Sequence, residues 1–408
     1  MRAVRVAGAA LVAALIVGAP AFAADETTVD ASKGGVTFRS GDNSLTLGAY
    51  AQFRWALDDK EQYDADPATS EGYLREDGPA SSFSIPRVRI LLGGGVYKPW
   101  LKYKFEYEIG RTSGGSGSNK IKDAYLEVEK HPMFSVRVGQ FKVPFSVQEM
   151  ASDSKQEFTD RAITNSQFVP GRDLGVMLYG ATEKRFLGYS LGVFNGGGEG
   201  NSQDDESHMF AGRVWIDPLG EYKPGETAVD GPEKPIVHVG LGFRTGEKMK
   251  GGDTFTPEGE EDAVTIFESP DDQTAYNLEL VFKSARWFAT GEYFRMTEKR
   301  ENPLPASSDR DSDGFHVQGG FMAIPQKLDV ALRYAVVDPN TDADEDRATE
   351  VRLGTSWFLK KHNYKLIADA GQVTYERNNS AVSGDNARLV AQDEYTDTQF
   401  RLQLQLAF

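Results

Sequence analysis

The chain is 408 residues long, carries a formal net charge of −16, contains no cysteine, and is 39% hydrophobic and 26% charged. The missing thiols exclude disulfide staples and thiolate chemistry, and an acidic balance with no basic patch excludes a nucleic-acid surface. Past the N-terminus no stretch has the roughly 20 apolar residues of a spanning helix, but a barrel strand needs only about 9 to 11 alternating residues and leaves the average hydropathy ordinary.

Read in chain order, the first feature is an export signal. Arg2 and Arg5 precede an apolar run from Val6 to Val17, too short for a membrane anchor, and Ala21-Phe22-Ala23 is a small-x-small cleavage site. Residues 1–23 are expected to be a signal peptide and 24–44 a periplasmic N-terminal segment, with a transmembrane barrel over 45–408.

Period-2 alternation then runs through the rest of the chain. Leu45, Leu47, Ala49, Ala51, Phe53, Trp55 and Leu57 share one face, with Thr46, Gly48, Tyr50, Gln52 and Arg54 on the other. Leu101, Tyr103, Phe105 and Tyr107 interleave with Lys102, Lys104, Glu106 and Glu108. The final segment sets Phe400, Leu402, Leu404, Leu406 and Phe408 against Arg401, Gln403 and Gln405. Sixteen such segments fall near 45–57, 83–97, 100–110, 120–129, 133–143, 173–182, 185–195, 208–217, 236–245, 274–284, 286–297, 312–323, 327–338, 346–359, 363–376 and 395–408.

The connections alternate in length. Short turns are expected at Lys98-Pro99, Lys130 to Pro132, Glu183-Lys184, Ser284-Ala285, Pro325-Gln326 and Lys360 to His362. Longer loops lie at 58–82, 111–119, 144–172, 196–207, 246–273, 298–311, 339–345 and 377–394. This is the plan of an all-β, 16-stranded antiparallel transmembrane β-barrel with long extracellular loops and short periplasmic turns. A soluble β-sandwich also alternates, but its connections do not alternate strictly in length. Residues 218–235 break the rule: a short turn is due there, and the chain has an 18-residue segment containing proline.

Four motifs then occur in order: Phe83-Ser84-Ile85-Pro86-Arg87-Val88-Arg89, Ile121-Lys122-Asp123-Ala124-Tyr125-Leu126, Val138-Gly139-Gln140-Phe141-Lys142-Val143-Pro144-Phe145, and Phe168-Val169-Pro170-Gly171-Arg172-Asp173-Leu174-Gly175-Val176. Together they resemble the phosphate-selective porin O and P family. The resemblance implies a 16-stranded outer-membrane channel, usually a homotrimer, with outer-membrane lipid and lipopolysaccharide as surroundings and small anions such as phosphate or polyphosphate as solutes. It implies no cofactor and no catalysis. Two positions depart from the family pattern: Pro86 stands where an arginine is usual, and Ser146 where glycine is usual.

If the apolar set faces lipid, the intervening residues line the channel. Parity places Arg54, Arg87, Arg89, Lys102, Lys104, Arg137, Arg213 and Arg244 inward, with Arg333, Arg352 and Arg401. Guanidinium groups grip oxyanions bidentately, and rings of Arg or Lys are how anion pores select, so these residues form the expected anion pathway. The same parity turns Glu106, Glu108, Asp123, Glu127, Glu129, Glu279, Glu292, Asp329, Glu350 and Asp369 inward, so the lumen is mixed; the alternative to an anion pathway is that cross-strand ion pairs merely brace the wall. Residues 144–172 are expected to fold in as a constriction loop carrying Lys155, Arg161 and Arg172 against Glu149, Asp153, Glu157 and Asp160, with Asp173 just beyond.

Residues 58–78, 199–206, 246–272 and 338–346 hold 26 acids and 4 bases, a balance of −22, so the exported chain (−18 without Arg2 and Arg5) is +4 elsewhere. Acidic loops repel incoming anions at low ionic strength, and their carboxylates could bridge lipopolysaccharide through divalent cations. No metal-site spacing is present, and solvated loops account for them. The five histidines are scattered singly, and nucleophile-elbow, P-loop and dinucleotide motifs are absent. A general or cation-tolerant porin and a surface structural or adhesion barrel are the alternatives to an anion channel.

Overall fold

A strand in lipid must send apolar side chains outward and close its hydrogen-bond ladder, because lipid offers neither donors nor acceptors. A computed structural model of the chain describes residues 27–31, 35–65, 72–76, 79–109, 120–200, 208–247, 272–299, 309–376 and 394–408. The strands begin with β1 (Thr28–Asp30), β2 (Val36–Ser40), β3 (Asn43–Ala65), β4 (Gly72–Glu76), β5 (Ala80–Val96) and β6 (Lys98–Glu108). They continue as β7 (Lys120–His131), β8 (Phe134–Lys142), β9 (Arg172–Ala181), β10 (Leu187–Phe194), β11 (Met209–Ile216) and β12 (Ile236–Glu247). The last are β13 (Asp272–Lys283), β14 (Trp287–Lys299), β15 (Arg310–Ile324), β16 (Leu328–Asp338), β17 (Ala348–Lys360), β18 (Tyr364–Tyr375) and β19 (Tyr395–Ala407).

Sixteen of these, β3 and β5 to β19, form one antiparallel ring in sequence order. β19 closes it on β3, with Leu402 opposite Trp55 and Leu404 opposite Phe53. The terminal Phe408 is tied in as well: its N–H donates to the Ala49 carbonyl at 3.0 Å, and its carbonyl accepts from the Ala49 N–H at 3.1 Å. Where β19 stops, β2 takes over the free edge of β3, pairing Val36 with Leu47, and β1 pairs with β2. The stretch expected at 24–44 therefore includes two short strands that carry the sheet past the rim. β4 extends only the far end of β3.

Each of the sixteen alternating segments is a strand. The turns differ in detail. The turn expected at Lys98-Pro99 falls at Tyr97, while Lys130 and His131 still belong to β7. Tyr97 (φ 63°), Arg185 (56°), Gln326 (60°) and Lys361 (48°) each supply the left-handed residue that closes a short hairpin, and all four lie on one rim. Pro86 also has a structural reason. Gln52 faces Arg87 but Arg54 faces Ser84, so Ile85 and Pro86 oppose Phe53 alone in a β-bulge. A bulge leaves a residue out of the ladder, which suits a residue without an N–H. The signal peptide and most of the acidic stretches 199–206 and 246–272 lie outside the described residues.

Side chains follow the expected parity. Leu241, Leu278, Leu332 and Leu353 point outward and are about half exposed, whereas Arg244, Glu279, Arg333 and Arg352 point inward and are buried. The apolar core is inside the ring. Phe145 and Phe168, from the β8–β9 connection, pack on Phe294, Met296, Val337 and Val373 of the wall. Val147, Tyr222, Ala228 and Val229, from two connections, pack on Val281, Phe288, Met322 and Phe358. Inward Phe and Met on a lumen wall find no lipid, so they are removed from water by segments folded in from the rims, at about 1.5–3 kcal/mol for each fully buried side chain.

Leu404, on the outward face of β19, tests the lipid assignment. Arginine on a lipid face costs roughly 2–4 kcal/mol at the midplane. Leu404→Arg is therefore expected to lower the yield of folded barrel in lipid vesicles, read by heat-modifiable gel mobility. Wild-type yield would mean that this face of β19 does not meet lipid.

Candidate functional site

The connection 143–171 leaves the top of β8, crosses the lumen and returns to β9. Its first turn is α1 (Val147–Met150), capped by Ser146, whose hydroxyl accepts from the Glu149 N–H. The same hydroxyl donates to Glu292 on β14 at 3.0 Å, and the N–H groups of Val147 and Gln148 reach the Glu292 carboxylate at 3.1 and 2.9 Å. A wall carboxylate thus meets the free N–H groups of a helix start. Serine at 146 supplies a cap and a contact to the opposite wall that glycine could not.

Beyond α1 come a 3-10 turn, Asp153–Lys155, an extended stretch, and α2 (Ile163–Phe168). The wall serves their backbone. Lys365 donates to the Gln156 carbonyl at 2.7 Å, Arg333 to that of Asp160 at 3.0 Å, and Gln405 to that of Ser154 at 2.8 Å. Asp369 accepts from the Thr159 N–H at 3.0 Å and Glu350 from that of Ile163 at 3.2 Å. Small residues make room. A Cβ on Gly242 would lie 2.2 Å from the Phe145 carbonyl oxygen, and one on Gly354 would lie 2.8 Å from the Phe158 ring.

Two aspartates of this segment organise the basic residues. Asp160 accepts from Arg54 at 2.9 Å and Arg401 at 2.7 Å, with Arg87 at 3.5 Å. Asp153 pairs with Arg89 at 2.7 Å and Arg161 at 2.6 Å, with Arg87 at 3.9 Å. Burial opposes ionisation of both carboxyls, but the surrounding guanidinium groups outweigh it and hold each well below the usual carboxylate range.

The other expected pathway residues are also engaged. Arg89 further binds Glu106 and Glu108 at 2.8 and 2.6 Å, and Arg161 binds Glu149 at 3.1 Å. Arg172, the first residue of β9, binds Asp123 at 2.8 Å. Lys104 bridges Glu106 and Asp123, Lys102 meets Glu129, and Arg137 meets Glu127 while stacking over the Tyr125 and Tyr179 rings. Arg213 binds Glu279 at 2.5 Å, and Arg244 holds the Phe168 carbonyl and Gln273. Lys155 is exposed, and its carbonyl accepts from the Glu226 N–H at 2.9 Å.

Most of the expected inward guanidinium groups are therefore held in ion pairs. The structure brings Arg54, Arg87, Arg89 and Arg161 together around Asp153 and Asp160. It leaves Lys102, Lys104 and Arg137 on the β6–β8 wall, and Arg213 and Arg244 on β11 and β12. The sequence places Asp153 and Asp160 in the loop without showing that they gather the arginines. Their spacing of seven gave no such hint, because the partners sit on β3, β5 and β19.

Water contact is uneven around the ring. On the β6–β8 wall the Lys102, Lys104, Glu129 and Arg137 side chains are 46, 33, 31 and 23% exposed. On the far wall Arg333 and Lys365 are fully buried. These water-exposed charged side chains lie on β6, β7 and β8.

The chain is similar in fold to the anion-selective porin of Comamonas acidovorans (TM-score 0.54, 13% identity, covering 90% of this chain and 100% of that one). It is similar to OprB of Pseudomonas putida (0.55, 10% identity, 89% and 94%) and to a trimer-form structure of OmpT of Vibrio cholerae (0.53, 16% identity, 89% and 99%). An uncharacterized protein of Aquifex aeolicus is 22% identical over 283 residues, and the match spans 64% of each chain. The profile of the phosphate-selective porin O and P family matches residues 59–408. With a closed sixteen-stranded ring, a loop seated in its lumen and that match, the chain belongs to the phosphate-selective porin O and P family and is an outer-membrane porin, a channel and not an enzyme.

Proposed function

We propose that this porin is a passive diffusion channel for small anions, phosphate among them, with weak selectivity and no dedicated phosphate site. The observation that carries this reading is the grouping of Lys102, Lys104 and Arg137 on the most water-exposed stretch of the inner wall. Cations there raise the local anion concentration. Their carboxylate partners limit the effect: Lys102, Lys104 and Arg137 each already hold a carboxylate, so a passing oxyanion has to compete for them. The anion-selective porin of Comamonas acidovorans, similar in fold, is consistent with the reading.

A second reading, a general porin for small nutrients, is favoured by the same near-complete pairing. Reversal potentials in a salt gradient separate the two. For the wild type a modest anion preference is expected, and Lys102→Glu with Lys104→Glu should abolish or invert it. A reversal potential at zero in the wild type, unmoved by the double variant, would establish the general porin.

Asp160 provides an independent test. Asp160→Asn removes the charge shared by Arg54, Arg87 and Arg401 while keeping the side-chain volume. Anion preference is expected to rise and phosphate to block chloride current more strongly. Folding stability is expected to fall by roughly 1–3 kcal/mol, the scale for hydrogen bonds to charged groups. Unchanged selectivity would mean that this cluster lies off the conduction path.

Export with cleavage after Ala23 and assembly as a homotrimer in lipopolysaccharide-containing membrane complete the reading. Native mass spectrometry of the protein from outer membranes should find three copies of a chain beginning at Ala24. A monomer, or a chain retaining residues 1–23, would refute the corresponding part.

A further inference from the structure

The connection 217–235 lies on the rim where the other described turns are short; residues 218–221 and 233–235 near its ends are exposed, but Gly225 to Val229 are buried inside the ring. Asp217 turns it inward, accepting from the Tyr222 N–H at 3.0 Å and joining His238 of β12 at 2.6 Å. Tyr222 is buried with its ring 5.0 Å from that of His238. Residues Glu226 to Val229 are 0–2% exposed, more deeply buried than most of the wall. Ala228 and Val229 pack on Phe288, Met322 and Phe358 of the wall and on Val147 of α1.

Glu226 joins this segment to the 143–171 loop. Its N–H donates to the Lys155 carbonyl at 2.9 Å, and its carboxylate accepts from the Glu157 N–H at 2.7 Å and the Gln148 side chain at 3.0 Å. Thr227 follows with φ 74°, a left-handed conformation that is rare for a β-branched residue. Such residues persist only where the surroundings hold them. At the rim, Lys361 pairs with Asp230 at 2.8 Å.

We propose that residues 217–235 are a second constriction element, a periplasmic-side plug that Glu226 staples to the 143–171 loop. Together the two segments fill the β12–β18 side of the lumen and confine solutes to the β6–β8 wall, so this plug sets the size limit at the periplasmic mouth. The inference rests on the chain being a porin and is independent of which ions the channel prefers.

The absence of cysteine allows a direct test of placement. An ideal Cβ on Gly225 lies 3.6 Å from that of Lys155, within the separation that a disulfide spans. In the full-length chain, Gly225→Cys with Lys155→Cys should cross-link on mild oxidation, measured by loss of free thiol. In planar bilayers, removal of 220–234 should raise single-channel conductance roughly twofold or more, since passage follows pore diameter, and should speed the entry of larger neutral sugars into liposomes. Glu226→Ala should raise conductance in the same direction by less, and it serves if the shortened chain fails to fold. Thiols that stay free, or a folded variant that conducts like the wild type, would overturn the proposal. Neither measurement reads selectivity, so failure here is distinct from failure of the anion reading.

Discussion

The interior of this porin depends on one electrostatic requirement: guanidinium groups turned into a narrow lumen must find counter-charges or stay hydrated. Asp160 meets the requirement for Arg54, Arg87 and Arg401, and Asp153 meets it for Arg89 and Arg161. Both aspartates arrive on a segment that must cross the lumen to reach them. The pairs therefore neutralise the wall and fix the loop at once. Removing either carboxylate would leave buried cations behind.

The fold is inside-out relative to a water-soluble barrel, and the hydrophobic effect acts in an unusual place. Outward leucines need no burial because lipid accepts them. Apolar side chains on the inner face of β13 to β18 have no lipid, and they draw in Phe145, Phe158, Phe168 and Val147 from one rim and Tyr222, Ala228 and Val229 from the other. Inward glycines at 242 and 354 record how closely the loop approaches. A wall with bulkier side chains there could not accept it.

Function follows from this asymmetry. The inner face of β13 to β18 is covered, while Lys102, Lys104, Glu129 and Arg137 on β6 to β8 keep charged groups in water. In the proposed pathway a solute meets Lys102, Lys104, Glu129 and Arg137 in water, while the more numerous arginines around the loop are held by Asp153 and Asp160. That arrangement suits passage better than tight binding, because each cation already has a carboxylate to return to. It also explains how a chain of a family described as phosphate-selective can hold many inward arginines without holding them free.

Strand identity, strand number and the facing of each side chain were legible in the sequence because they are local: a period of two in a segment such as 395–408 needs no partner to be read. The two departures from the family pattern were also visible, but their reasons were not. Pro86 makes sense only once β5 is seen to bulge against β3 there, and Ser146 only once Glu292 is found across the lumen. In the same way, Arg54 and Asp160 are 106 positions apart in the chain, and alternation says that each faces inward without saying that they meet. The irregular length of 217–235 marked an exception whose destination stayed hidden. What alternation determined was the wall and its two faces; what only the tertiary structure decided was how the lumen is filled and which charges remain in water, because ion pairing and packing are set by distances between strands and loops that no local pattern encodes.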